Sequence, residues 1–200
     1  MKRIGIYGGS FDPVHNGHLH LAETARKRLR LDEVIFVPAH VSPFKQEKTG
    51  TADGMHRMAM LELALEDKPG LTVSDYELRQ EGVSYTVHTL RHFRALYPEE
   101  QLVLLMGSDM LLSFQRWYCW PELMKLAELG CMARTPEDAE KLHAQAEILA
   151  PYGRVQIICD GILPLSSTKI RKNLKKGEDC SCYLPEKVVQ YIGAHHLYGR

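Results

Sequence analysis

Short runs of apolar, mostly β-branched residues alternate along the chain with longer stretches whose apolar positions recur every three or four residues. Ile4-Gly5-Ile6-Tyr7 and Val34-Ile35-Phe36-Val37 are apolar runs that end in Gly or Pro, as strands covered on both faces do. Between them Leu19, Ala22, Ala25 and Leu29 form a stripe at helical spacing, with basic residues on the other side. The alternation predicts helix over 56–66, extended chain over 71–76, helix over Thr86–Leu96 and a central strand over 102–106. A less regular second half predicts helix over 121–128, a strand over 130–134, a helix start at Thr135-Pro136, a last strand over 154–159 and helices at 167–174 and after Pro185. Strand and helix in turn make an α/β fold, a Rossmann-like doubly wound parallel sheet with helices on both faces.

At 200 residues, the chain is long enough to bury one sizeable core without a second one. Nothing marks a domain boundary, so residues 1–200 read as a single domain whose closing C-terminal helices start at about 166. Lys and Arg number 25 and Asp and Glu 25, so no global basic field exists to hold a nucleic-acid backbone. No apolar run has signal-peptide or membrane-span length. The five cysteines are scattered and odd in number, which suits reduced thiols in the cytoplasm better than a disulfide framework, and the isolated Cys180-x-Cys182 has no second pair with which to bind zinc. The long polar connection 40–54 carries Lys45 and reads as a lip over an active site.

The segment Gly8-Gly9-Ser10-Phe11-Asp12-Pro13-Val14-His15-Asn16-Gly17-His18 lies between the first strand and its helix. That is the carboxyl end of a strand, where open α/β sheets bind ligands. Adjacent glycines admit a phosphate to backbone N–H groups, and the helix start offers orphan donors and a positive dipole end. His15 and His18, three apart, can direct ring N–H donors at one phosphate, with His20 pointing elsewhere. The segment is neither the G-x-G-x-x-G dinucleotide fingerprint nor a P-loop, and a zinc site would need ligands that the neighbouring sequence lacks.

The same segment resembles the H-x-G-H motif of the nucleotidyltransferase superfamily, and Leu165-Ser166-Ser167-Thr168-Lys169-Ile170-Arg171 is similar to that superfamily's I-S-S-T-x-x-R pattern. Three hydroxyls at a helix N-terminus, with Arg171 a turn in, supply donors and charge for β and γ phosphates. The stretch from Glu77 to Leu90, together with Met106-Gly107-Ser108-Asp109-Met110 and Trp117-Tyr118, resembles the bacterial nicotinate-mononucleotide adenylyltransferases, and the likeness runs over essentially the whole chain.

The resemblance implies an enzyme that joins ATP to nicotinate mononucleotide in NAD synthesis, releasing pyrophosphate. It implies His15 and His18 as catalytic donors. Gly8, Gly9, Ser10, Phe11, Lys45, Gly107, Asp109, Ser166, Ser167, Thr168 and Arg171 would hold ATP and its phosphates, with Arg57 as a weaker candidate. Ser84, Tyr85, Thr86 and Trp117 would hold the nicotinate nucleotide, the start of the helix at Thr86 favouring its carboxylate and the indole stacking on its ring. Mg²⁺ would arrive with ATP, since no carboxylate cluster is apparent to hold it alone. Ser10, Phe44, Ser108 and Leu165 depart from the residues most frequent in the family, and none of these changes removes a phosphate ligand of the core motifs. ATP and nicotinate mononucleotide are the expected partners, with no nucleic acid or membrane and with a homo-oligomer possible. A different acceptor, such as phosphopantetheine or nicotinamide mononucleotide, and a nucleotide-binding module without turnover are the alternatives.

Overall fold

The computed structural model describes residues 1–41, 51–133, 135–160 and 163–199. Among the described residues the strands are β1 (Arg3–Gly9), β2 (Glu33–Pro38), β3 (Leu71–Val73), β4 (Gln101–Gly107), β5 (Glu128–Met132) and β6 (Val155–Ile158). They form one sheet in the order β3-β2-β1-β4-β5-β6, with every pairing parallel. Ile6 lies between Ile35 of β2 and Leu104 of β4. The chain leaves β1 toward β2 on one side and later returns to β4 on the other. Crossovers departing in opposite directions open a crevice at the carboxyl ends of β1 and β4.

Eight helices flank the described sheet: α1 (Asn16–Arg28), α2 (Gly54–Leu65), α3 (Thr86–Leu96), α4 (Ser108–Leu112), α5 (Trp120–Leu126), α6 (Pro136–Leu149), α7 (Ser167–Lys175) and α8 (Glu186–Ala194). Two apolar layers hold them. In one, Leu19 and Ala22 of α1, Met60 and Leu61 of α2, Ile170 of α7 and Val188 and Ile192 of α8 pack on sheet residues such as Phe36 and Leu105. In the other, Val87, Leu90 and Phe93 of α3, Leu123 of α5 and Leu142 of α6 pack on Ile4, Ile6 and Leu104. Successive strand residues face opposite layers and are buried in both, which is why β1 and β2 read as unbroken apolar runs.

The structure differs from the sequence pattern at three places. Extended chain over 71–76 stops as a strand at Val73: Ser74 N–H makes a last bond to Phe36 O of β2, and the chain then turns into a 3-10 turn, Glu77–Arg79. The helix expected over 121–128 ends at Leu126, and Glu128 opens β5 instead. Its carboxylate accepts from Arg3, Gln101 and Gln156, a strand role that a charged residue does not advertise. The short α4 carries too few residues to show a period. No helix among the described residues is long and apolar enough to cross a membrane.

Candidate active site

The turn leaving β1 is shaped by its own small residues. Phe11 adopts a left-handed backbone (φ 47°) and turns its ring inward, edge-on to Tyr7 at 5.3 Å and to His18 at 5.0 Å. A Cβ on Gly9 would stand 2.9 Å from that ring, so only glycine lets it tuck beneath the loop. The Phe11 side chain is therefore core, at 2% exposure, although the residue lies on the cleft lining. Gly8 has nothing within 4 Å of where its Cβ would be and faces open space.

His15 and His18 cap α1 reciprocally. His18 N–H donates to His15 Nδ1 (3.3 Å) and His15 N–H donates to His18 Nδ1 (3.2 Å), a capping box built from histidines in place of the usual hydroxyl and carboxylate. With both Nδ1 atoms accepting, a neutral ring carries its proton on Nε2. Burial pushes His15 down to about 4, only partly opposed by its backbone hydrogen bond, so near neutral pH it is an uncharged donor. The two rings stack at 3.7 Å. A Cβ on Gly17 would lie 3.0 Å from His15 Nδ1 and 3.3 Å from Leu163 O, so the glycine between the histidines lets both the ring and the segment before α7 close over the helix start.

These residues line one cleft of about 640 Å³ at the carboxyl ends of β1 and β4, within the usual range of ligand sites. Gly107, the N-cap of α4, and Asp109 stand on its β4 side. Ser166, Ser167 and Thr168 reach it from the start of α7, where Ser166 makes no side-chain cap and Ser167 Oγ donates to Pro13 O (3.0 Å). That bond joins the two distant motifs directly.

Arg171 stands apart from the cleft lining: its Nη1 donates to Asp12 O (2.6 Å) and lies 3.4 Å from Asp12 Oδ2. Arg57 is also drawn inward, buried and donating to Ser10 O (2.9 Å), so it braces the loop where the sequence suggested a phosphate contact. Lys45 lies outside the described residues.

On the opposite wall stand Ser84, Thr86 and Trp117, with Glu77 and Thr89. Thr86 opens α3 with no side-chain cap, leaving the helix start to a ligand or water. Ser84 Oγ accepts from His40 N–H (2.9 Å), and Thr89 Oγ1 donates to the buried Glu77 carboxyl, which burial raises above the usual carboxylate range. The Tyr85 ring does not line the cleft. It meets Tyr118 at 4.9 Å on the surface, where both are exposed, and only the Tyr85 backbone serves the start of α3. Asp12, Glu77 and Thr89 escape a reading of the sequence in which each is an ordinary polar residue; an acidic residue wedged between Phe11 and Pro13 was the available signal for the first. Among the described residues no group of three or more His, Cys, Asp or Glu could hold a metal ion.

A doubly wound parallel sheet whose crevice is edged by helix starts without side-chain caps and by a histidine pair is the arrangement of the nucleotidyltransferases. The chain belongs to the cytidylyltransferase-like family of nucleotidyltransferases, whose model matches residues 6–173, and within it to the nicotinate-nucleotide adenylyltransferases. It is 37% identical to the probable nicotinate-nucleotide adenylyltransferase of Clostridium tetani, over 99% of this chain and 100% of the relative. The corresponding protein of Oceanobacillus iheyensis is 35% identical over 100% of this chain and 98% of its own. Among solved structures, the nicotinic acid mononucleotide adenylyltransferase of Plasmodium falciparum complexed with NaAD shares the fold, with a TM-score of 0.82 at 21% identity over 99% of this chain and 98% of that one.

Proposed function

We propose that the chain transfers the adenylyl group of ATP to nicotinate mononucleotide, giving nicotinate adenine dinucleotide and pyrophosphate. The observation that carries this reading is the single cleft in which two histidine donors, the start of α7 and the start of α3 converge. A phosphate oxygen of the mononucleotide, already ionised, attacks the α phosphorus of ATP; the new O–P bond forms as the bond to pyrophosphate breaks. No general base is needed, so catalysis is positioning and charge stabilisation.

His15 and His18 donate Nε2–H to the oxygens of the α phosphate, where charge builds up. Ser166, Thr168 and the N-terminal amides of α7 receive the departing pyrophosphate. Arg171 contributes by holding the Asp12 carbonyl and with it the phosphate loop. Gly8 and Gly9 admit the phosphates to the backbone, Ser10 supports them, and Gly107 and Asp109 take the ribose hydroxyls. Mg²⁺ enters as part of the ATP substrate, with phosphate oxygens and water completing its shell. The uncapped start of α3 at Thr86 favours a nicotinate carboxylate over a neutral amide, Ser84 steadies that start, and Trp117 offers its indole face to the pyridine ring. The chain works as one domain, and its five cysteines, none of them in a disulfide, support a reducing compartment, the cytoplasm.

The test is pyrophosphate release from ATP and Mg²⁺ with nicotinate mononucleotide, nicotinamide mononucleotide and phosphopantetheine supplied separately. Strong preference for the first is expected. Preference for another acceptor would keep the phosphate machinery and discard the roles of Thr86 and Trp117, and ATP binding without release would indicate a regulatory module.

A further inference from the structure

Beneath the loop that carries the histidines lies a buried polar knot outside the cleft. Asp12 is 4% exposed, and its carboxylate is met from three remote parts of the chain. Tyr198 Oη–H donates to Oδ1 (2.6 Å), Ala52 N–H donates to the same oxygen (3.0 Å), and the Arg171 guanidinium faces Oδ2. Arg171 also holds the Asp12 carbonyl, and Arg57 of α2 holds that of Ser10. Tyr198 reaches this point from a 3-10 turn, Leu197–Gly199, with its backbone in the left-handed region (φ 62°). Burial, reinforced by the neighbouring Asp12 charge, pushes its phenol far up, so the hydroxyl keeps its proton and donates.

We propose that Asp12 and Tyr198 form a positioning latch that fixes the phosphate loop against α7 and thereby sets the distance between the histidine donors and the residues that receive pyrophosphate. Neither residue lines the cleft. The geometry nevertheless makes Asp12 the only described residue whose own carbonyl and carboxylate both meet Arg171, three positions before His15. A hydroxyl bonded to a buried carboxylate is a strong, charge-assisted contact. Without it, Oδ1 keeps the Ala52 amide alone, the carboxylate turns toward Arg171, and α7 shifts relative to the loop. Such a shift degrades the reacting geometry while leaving α3 and α5, which rest on the other face of the sheet, in place. The inference rests on the functional reading above for its kinetic consequences and on the structure alone for the latch.

The experiment is Tyr198→Phe, which removes one oxygen, made alone and in an Asp12→Ala background. The kcat and both KM values are measured, and amide hydrogen exchange is followed at His15 and His18 in the ligand-free chain. The expected result is kcat lowered about tenfold with a raised KM for MgATP and an acceptor KM within about twofold of the parent. Exchange at His15 and His18 should speed up about tenfold while β4 amides stay unchanged. In the Asp12→Ala background the second substitution should change kcat by less than about twofold. Kinetics within about twofold of the parent, equal rises in both KM values, or full additivity would overturn the proposal. If the parent itself releases no pyrophosphate, the functional reading has failed, and the exchange measurement alone decides: unchanged rates at His15 and His18 overturn the latch, and faster rates sustain it.

Discussion

Replacing His15 with Asn isolates the proton that burial keeps off the first histidine. Asn is among the best N-caps and can accept from His18 N–H as the ring nitrogen does, so the variant keeps the cap and loses the titration. In the folded chain burial lowers His15 to about 4, against an ordinary 6.5 when unfolded. Between these values the unfolded chain binds more protons than the folded one, so stability is lost as the pH falls through that window. At a pH of about 4.5 linkage gives a loss of about 2.5 kcal/mol relative to neutral pH. Glu77 acts in the opposite sense, because burial raises its carboxyl and its folded form takes up a proton first; only the difference between parent and variant is therefore diagnostic. The assay is urea unfolding followed by the fluorescence of Trp117 and Trp120. The parent should lose about 2.5 kcal/mol more than His15→Asn on acidification, and curves that run parallel to within about 0.5 kcal/mol would refute the assignment of His15 as a buried neutral donor.

Gly17→Ala sets two effects against each other: helix propensity favours it by about 1 kcal/mol, whereas its Cβ would press on the pinned His15 ring and on Leu163 O. Urea unfolding should thus change little while kcat falls by more than about tenfold, and a stable, fully active variant would contradict the close approach. Removing one preorganised donor in His18→Ala should lower kcat by roughly two to three orders of magnitude, with circular dichroism unchanged. Trp117→Ala should act mainly on the KM for the pyridine nucleotide; an effect confined to ATP counts against indole stacking. Thr89→Val strips a donor from the buried Glu77 carboxyl and should destabilise the fold by about 1–3 kcal/mol in the same unfolding assay.

What could be read from the sequence was local. β1 and β2 announce themselves because both of their faces are covered, and α3 because its apolar stripe runs cleanly from Thr86 to Leu96. His15, Gly17 and His18 lie within one turn, so their spacing alone brings them together. Ser167 and Pro13 meet across 154 positions and Tyr198 and Asp12 across 186, and no periodicity encodes such pairs. The family likeness implies ligand contacts for Arg171 and Tyr85 and, more weakly, for Arg57. In the structure the two guanidinium groups hold carbonyls of the loop and the Tyr85 ring meets Tyr118, contacts that depend on pairs far apart in the chain. Glu128 shows the reverse, a charge at a strand start made tolerable by four side-chain donors, Arg3, Gln101, Arg154 and Gln156.

The two apolar layers divide the work of the cleft between them. The histidines, the start of α7 and the Asp12 knot rest on one layer, and the walls at Thr86 and Trp117 on the other, with the sheet as a common partition. Substitutions on opposite sides of such a partition combine almost independently. Changes confined to the starts of α3 and α5 would therefore alter how the acceptor is held while leaving the histidines and the start of α7 as they are.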